Sequence, residues 1–195
     1  MAIEKRHSVC IFGASGSHGR KEYYDEAYTL GVLMARRGWE CVCGAGRDGV
    51  MRAVSDGVLD NGGTAIGVIP QFMVDNGWNY DRLTRTIVTA DMHSRKHTMA
   101  RLTEAVIALP GGCGTLEELL EAITWSQLGL WLKPIVILNT LGYYDNLIKM
   151  LDTAIDEHLM KESHRGLWHV AATASEAVEY LESIDFHAEQ PENKY

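Results

Sequence analysis

The feature that most constrains the fold is an alternation of short apolar, β-branched runs with longer helical patterns along the chain. Such runs predict strands at residues 8–12, 40–43, 65–69, 85–88, 105–109 and 134–138. Apolar residues that recur about every 3.6 positions predict helices at residues 23–37, 50–59, 92–102, 115–128, 143–159 and 175–183. Residues 70–83 lack such a period and predict a long loop. Strands that alternate with helices indicate the α/β class, a parallel sheet with helices on both faces.

Length and composition favour one domain over residues 1–195. Apolar residues make up 46% and charged residues 23%, which excludes a largely disordered chain. A net charge of −8 with no extended basic run argues against nucleic acid as a partner. No run of about 18 apolar residues is present, so no membrane span is expected. The charged N-terminus lacks the features of a signal peptide, which predicts a cytoplasmic protein.

The strongest candidate site is the segment 110–118, PGGCGTLEE, which follows a predicted buried strand. Its glycines permit tight turns and a close approach of backbone to a ligand. The helix that follows directs free N–H groups at the loop, which suits a phosphate, and Thr115 adds a hydroxyl. Glu117 and Glu118 are expected in the first helical turn. Acidic residues also favour helix N-termini for purely electrostatic reasons, and for either glutamate alone the two explanations are about equally strong.

A second candidate is the segment 92–96, MHSRK, at the start of the preceding predicted helix. Asp91 is placed to cap that helix. Arg95 could bind a phosphate through two N–H groups, and Lys96 could add a point charge. For an isolated Arg-Lys pair, a solvated basic helix face is the more common explanation.

A third candidate is the loop of Gly44, Gly46 and Gly49, which matches G-x-G-x-x-G. A dinucleotide-binding fingerprint is weakly supported, because the next strand ends without an acidic residue to bind a ribose. A loop that cradles a single phosphate, or lets backbone pass close to it, fits better.

Metal binding is not favoured by the histidines and cysteines. His93 and His97 lie four apart, but no glutamate stands between them as in H-E-x-x-H. Cys10, Cys41 and Cys43 lie in apolar segments and are expected to be reduced, buried packing residues.

Taken together, these motifs resemble the LOG ("lonely guy") family of nucleoside 5′-monophosphate phosphoribohydrolases, once widely labelled lysine decarboxylases. The resemblance rests on the segments 92–96 and 110–118 and on ITWSQLG at 123–129. Two glycines at 62–63, IGVIP at 66–70 and LGYY at 141–144 also match. It covers roughly residues 8–160.

The resemblance implies a Rossmann-like fold and a homodimer with sites near the subunit interface. It implies hydrolysis of a purine nucleotide, AMP or an N6-modified AMP, to free base and ribose 5-phosphate, with no metal or organic cofactor. The implied catalytic pair is Arg95 and Glu118. The implied nucleotide-binding residues are Lys96, Gly111, Gly112, Cys113, Gly114, Thr115, Leu116, Glu117 and Thr124. The other glycine-rich loops add Gly13, Ser15, Gly44 and Gly46 as candidates.

The chemistry of the residues agrees with that implication. Cleavage of a ribosyl C–N bond builds positive charge at the anomeric carbon, which a carboxylate such as Glu118 can stabilise. A non-catalytic nucleotide or molybdopterin carrier of similar fold is the alternative, although a carrier needs no carboxylate beside that carbon. The apolar helix that carries Trp125, with Leu128, Leu130 and Trp131 at its end, could bury a surplus face in a dimer.

Overall fold

The computed structural model describes residues 7–184 as alternating strands and helices. The strands are β1 (Ser8–Phe12), β2 (Glu40–Cys43), β3 (Thr64–Pro70), β4 (Arg85–Thr89), β5 (Ala105–Ala108), β6 (Ile135–Leu138) and β7 (His169–Ala171). The α-helices are α1 (Lys21–Arg36), α2 (Gly49–Asp60), α3 (Gln71–Asp75), α4 (Met92–Leu102), α5 (Cys113–Gln127), α6 (Asp145–Asp156) and α7 (Ala174–Glu182).

All seven strands form one parallel sheet in the order β4-β3-β2-β1-β5-β6-β7. The chain starts in the middle at β1, runs outward to β4, and then returns to pair β5 with β1. The strand order therefore reverses between β1 and β5. A crevice opens at the carboxyl ends of the strands at such a point, which is where open α/β sheets bind ligands.

Each face of the sheet is covered by its own set of helices. One core packs the buried sides of α1, α2 and α7 against residues such as Val9, Ile11 and Cys41. The other core packs α4, α5 and α6 against side chains that include Cys10 and Phe12. The predicted α/β class, with helices on both faces of a parallel sheet, is confirmed.

The differences from the predicted elements have local causes. Strand β7 was not predicted because it has three residues and its central Val170 is 38% exposed, so no apolar run marks it. The predicted loop at 70–83 contains the short helix α3, in which no residue is buried to give a pattern. No helix among residues 7–184 is long and apolar enough to cross a membrane.

Candidate active site

Three glycine-rich loops meet where β1, β2 and β5 end. The backbone N–H of Ala14 donates to the carbonyl of Pro110 at 3.2 Å, and the N–H of Met51 donates to the carbonyl of Ala14 at 3.2 Å. Gly49 has φ +73°, and a Cβ there would lie 2.3 Å from the Ala14 carbonyl oxygen. The loops therefore contact each other through backbone, and a side chain at Gly49 would separate them.

The loop after β5 becomes a helix N-terminus earlier than predicted. Gly112 is an extended N-cap, and α5 begins at Cys113, with the N–H of Leu116 bonded to the Gly112 carbonyl. A Cβ on Gly111 would lie 2.1 Å from Thr115 Oγ1, so only glycine allows this turn.

The early start corrects the predicted position of the two glutamates. Glu117 and Glu118 lie in the second turn of α5, and no acidic residue lies in the first turn. Helix polarity acts mainly within the first turn, so it does not explain why these carboxylates are there.

Arg95 and Glu118 form a buried ion pair between α4 and α5. Arg95 Nη1 lies 2.8 Å from Glu118 Oε1, and Arg95 Nε donates to the Val68 carbonyl at 3.1 Å. The side chains are 6% and 8% exposed, so Arg95 does not lie on a solvated basic face. Two of its nitrogens already bind protein oxygens. A double contact of Arg95 with a phosphate stays a prediction, and it would have to use N–H groups that these two contacts leave over.

Two neighbouring features fix the position of Arg95. Asp91 caps α4 by accepting from the N–H of Ser94 at 2.8 Å, as predicted, so the first turn that carries Arg95 is well anchored. Gly44 leaves the space for the guanidinium, since a Cβ there would come within 1.9 Å of Arg95 Nη2.

The environment of Glu118 favours its protonated form relative to an exposed glutamate. Burial raises the pKa of Glu118, while the charge and the hydrogen bond of Arg95 oppose the shift. A carboxyl group with a shifted pKa and a specific charged partner in a cleft is a strong candidate for chemistry.

Lys96 binds carboxylates and not the glycine loop. Its Nζ contacts Glu117 and lies 3.1 Å from Glu121 Oε1. Burial lowers the pKa of Lys96, but the two ion pairs outweigh burial and raise the pKa above its ordinary value. The ammonium group is therefore charged and ties α4 to α5 beside the Arg95–Glu118 pair.

A pocket opens between α4 and α5 and includes Glu118 in its wall. The other lining residues are Phe12, Lys96, Ala100, Glu121, Ala122, Trp125 and Trp131. Trp131 is buried and its Nε1 has no hydrogen-bond partner among the described residues. Glu118 thus meets a space with largely apolar walls and acidic and basic groups at its edge.

The remaining predicted site residues lie in three places. Gly13, Gly46 and Gly111 are buried where the loops meet, and a Cβ on Gly46 would lie 3.4 Å from Ser15 Cβ. Gly112, Cys113 and Gly114 are exposed at the start of α5. Thr124 lies apart, on the exposed side of α5, where its hydroxyl donates to the Leu120 carbonyl at 2.7 Å.

Sequence reasoning missed several residues that build the site. Glu121 is a second carboxylate partner of Lys96 Nζ, beside Glu117. Met51 Sδ accepts a hydrogen bond from the N–H of Gly46 at 3.1 Å. Phe12 lines the pocket. Tyr143 and Tyr144 hold carbonyls of the glycine loop. The two tyrosines belong to the LGYY segment, the one sequence signal that pointed toward them.

Metal ligands are not assembled in the part of the chain that the structure describes. Within residues 7–184, no group of three or more His, Cys, Asp or Glu side chains is arranged to hold an ion. Cys10, Cys41 and Cys43 are buried and free, as predicted, and Cys113 is exposed.

Comparison with known proteins gives consistent matches. A family model described as "Possible lysine decarboxylase" matches residues 51–181. Cytokinin riboside 5′-monophosphate phosphoribohydrolase LOG5 of Arabidopsis thaliana is 42% identical over 175 residues, which is 90% of this chain and 77% of that protein. The LOG4 enzyme of the same plant is 42% identical over 182 residues, covering 93% and 85% of the two chains.

Solved structures extend the comparison to proteins with another activity. The molybdenum cofactor carrier protein MCP of Chlamydomonas reinhardtii superposes with a TM-score of 0.71 at 25% identity, covering 95% of this chain and 100% of that one. The same fold therefore serves both hydrolases and a carrier, and the site residues must decide between them.

Proposed function

Because this chain belongs to the LOG family, whose members include cytokinin riboside 5′-monophosphate phosphoribohydrolases, we propose that it hydrolyses the N-glycosidic bond of a purine nucleoside 5′-monophosphate. The products are the free base and ribose 5-phosphate. The substrate is AMP or an AMP modified at N6, as in cytokinin nucleotides. No metal or organic cofactor takes part.

The observation that carries this proposal is the buried Arg95–Glu118 pair beside the α4–α5 pocket. As the C–N bond lengthens, the ribose gains oxocarbenium character, and a nearby carboxylate stabilises that positive charge. The stabilisation is larger in a desolvated site than in water. Arg95 keeps Glu118 in place and favours its charged form.

The loop at the start of α5 is the proposed phosphate site. Backbone N–H groups at a helix N-terminus bind phosphate well, and Gly111, Gly112 and Gly114 leave room for it. The phosphate lies far from the bond that breaks, so its binding energy holds the sugar in position against Glu118.

The carrier alternative is supported by fold similarity and by little else. A carrier needs donors for the phosphate of its ligand, but it gains nothing from a buried carboxylate held by an arginine. Relatives at 42% identity are named as hydrolases, whereas the carrier is 25% identical. Retention of a ligand without turnover would favour the carrier.

Lysine decarboxylation, the activity in the family description, lacks a suitable lysine at this site. A lysine that forms a Schiff base needs a lowered pKa so that its amine is neutral. Lys96 is held between two carboxylates, and its pKa is raised.

We also propose that the chain acts as a cytoplasmic homodimer. Exposed apolar side chains cluster at the end of α5 and in the turn after it: Leu128 is 66%, Leu130 42% and Leu132 49% exposed. A second copy that covers this surface would remove apolar area from water next to the pocket. Four free cysteines, three of them buried, are typical of a reducing compartment.

A product assay tests the proposed reaction. Purified protein is incubated with AMP, isopentenyl-AMP and adenosine, and bases and ribose 5-phosphate are resolved by chromatography. We expect free base from at least one nucleotide, and much slower release from adenosine, which lacks the phosphate. Folded protein that releases no base from either nucleotide would contradict the proposal.

The pH dependence of the reaction should report on Glu118. Burial raises the pKa of this carboxyl, so the charged form is present above the raised pKa and is lost as the pH falls through it. Below that point kcat/KM is expected to fall about tenfold per pH unit, because a neutral carboxyl cannot stabilise a cationic sugar. A pH profile measured with circular dichroism at each pH checks this. If activity were lost only at the pH at which an exposed glutamate is protonated, Glu118 would not be the titrating group.

A further inference from the structure

Three separate donors bind backbone carbonyls at the start of the glycine loop. Tyr144 Oη donates to the Leu109 carbonyl at 2.6 Å, and Tyr143 Oη donates to the Gly111 carbonyl at 2.6 Å. Between them, the N–H of Ala14 donates to the carbonyl of Pro110 at 3.2 Å. Three consecutive acceptors are thus tied to protein donors.

The direction of these carbonyls sets the direction of the N–H groups. A trans peptide is planar, and its C=O and N–H point to opposite sides. Because Tyr143 holds the Gly111 carbonyl, the N–H of Gly112, which belongs to the same peptide, points away from Tyr143. Gly112 is the N-cap of α5, and a free N–H of fixed direction at a helix N-terminus is a donor for an anion.

The two tyrosines reach the loop through an unusual turn after β6. Strand β6 pairs with β5, and it leads into a 3₁₀ turn at Thr140–Gly142, in which Leu141 has φ +55° and Gly142 has φ +71°. Positive φ at a leucine costs energy, and such strain persists where surrounding contacts enforce it. The contacts here include Asn139, whose Oδ1 accepts from the N–H of Tyr144 at 2.6 Å.

Ring contacts keep both hydroxyls in place. Tyr143 packs edge-to-face against Tyr144 with ring centroids 4.9 Å apart, and against Tyr23 of α1 at 5.5 Å. Tyr144 is 1% exposed, and burial raises its pKa, so its hydroxyl stays protonated and remains a donor.

We infer that Tyr143 and Tyr144 are positioning residues that orient the glycine loop for the phosphate of the substrate. The Tyr143 hydroxyl fixes the peptide that presents the Gly112 N–H. The Tyr144 hydroxyl fixes the Leu109 carbonyl at the base of the loop, where Pro110 has no N–H to present. Neither tyrosine needs to touch the nucleotide. This inference rests on the proposed function, in which that loop binds the 5′-phosphate.

The substitution Tyr143→Phe tests the inference, because it removes the hydroxyl and keeps the ring contacts. Binding of ribose 5-phosphate is measured by isothermal titration calorimetry for the wild type and the variant. We expect the Kd to rise about tenfold, as the loss of one hydrogen bond can produce. With a nucleotide that the wild type cleaves, KM should rise by a similar factor while kcat changes less than about twofold, since the phosphate is remote from the reacting bond.

A matched control is Tyr28→Phe, which removes an exposed hydroxyl 3.5 Å from Asp60 on the other face of the sheet. It should leave the Kd unchanged. Tyr144→Phe is less suitable as the main test, because it leaves the Leu109 carbonyl without its hydroxyl donor and lowers stability.

Several results would overturn the inference. They are an unchanged Kd in Tyr143→Phe, an equal rise in Tyr28→Phe, or a wild-type chain that does not bind ribose 5-phosphate. Weaker binding in Tyr143→Phe supports the inference even if the wild type cleaves no nucleotide, a result that would defeat only the proposed function.

Discussion

The substitution Glu118→Gln is expected to lower kcat at least about 1000-fold. Removal of a group that stabilises a charged transition state has effects of about this size. Glutamine keeps the size of the side chain and an oxygen that can accept from Arg95 Nη1, which now lies 2.8 Å from the carboxylate. It removes the negative charge. KM should change little, because the phosphate loop is untouched and binds the ground state.

Glu117→Gln is the matched control for this loss. Glu117 is the neighbouring residue on α5, its side chain is 55% exposed, and it pairs with Lys96. Glu117 is an implied nucleotide-binding residue, so its loss can raise KM, but the charge of Glu118 is kept and we expect kcat to change less than about tenfold. Activities are compared at a temperature at which circular dichroism shows all three proteins folded. A Glu118→Gln enzyme with wild-type kcat, or an equal loss of kcat in Glu117→Gln, would remove Glu118 from the mechanism.

The fold was predictable from the sequence because the strands in the middle of the sheet, β1, β5 and β6, are buried on both faces. Strands β1 and β5 read as apolar runs, and their predicted positions differ from the observed bounds by no more than one residue. The edge strand β7 was missed because it has three residues, of which only Ala171 is buried. Its three residues join the sheet by pairing with β6, a long-range contact that no local pattern records.

The types of residue at the site were predictable from the sequence, but most of the contacts between them were not. The glycine loop and the Arg-Lys pair stand out as motifs, but the carboxylates that bind Arg95 and Lys96 lie on α5, more than twenty residues away. The sequence predicted that α5 starts at Thr115, because the glycine-rich run before it indicates a loop. The extended Gly112 cap starts the helix two residues earlier, and this places Glu118 in the second turn, where it faces Arg95.

The substitution Gly44→Ala is expected to disable the site although both residues of the ion pair, Arg95 and Glu118, are kept. The new Cβ would lie 1.9 Å from Arg95 Nη2, and Arg95 is 5% exposed, so the guanidinium has little free space into which it can move. Displacing it breaks the contact with Glu118. Breaking a buried ion pair costs about 3–5 kcal/mol of stability. We expect kcat/KM to fall about 100-fold, which is the effect of moving a catalytic group by about 1 Å.

The pH profile separates this mechanism from simple unfolding. Arg95 lowers the pKa of Glu118, so an enzyme whose arginine is displaced should have an acid limb at higher pH than the wild type. Gly166→Ala is the control, since a Cβ at that glycine meets no atom within 4 Å and should change neither stability nor rate. A folded Gly44→Ala enzyme with a wild-type rate and an unmoved acid limb would mean that the position of Arg95 does not govern Glu118, and catalysis would then have to depend on the carboxylate and the phosphate loop alone.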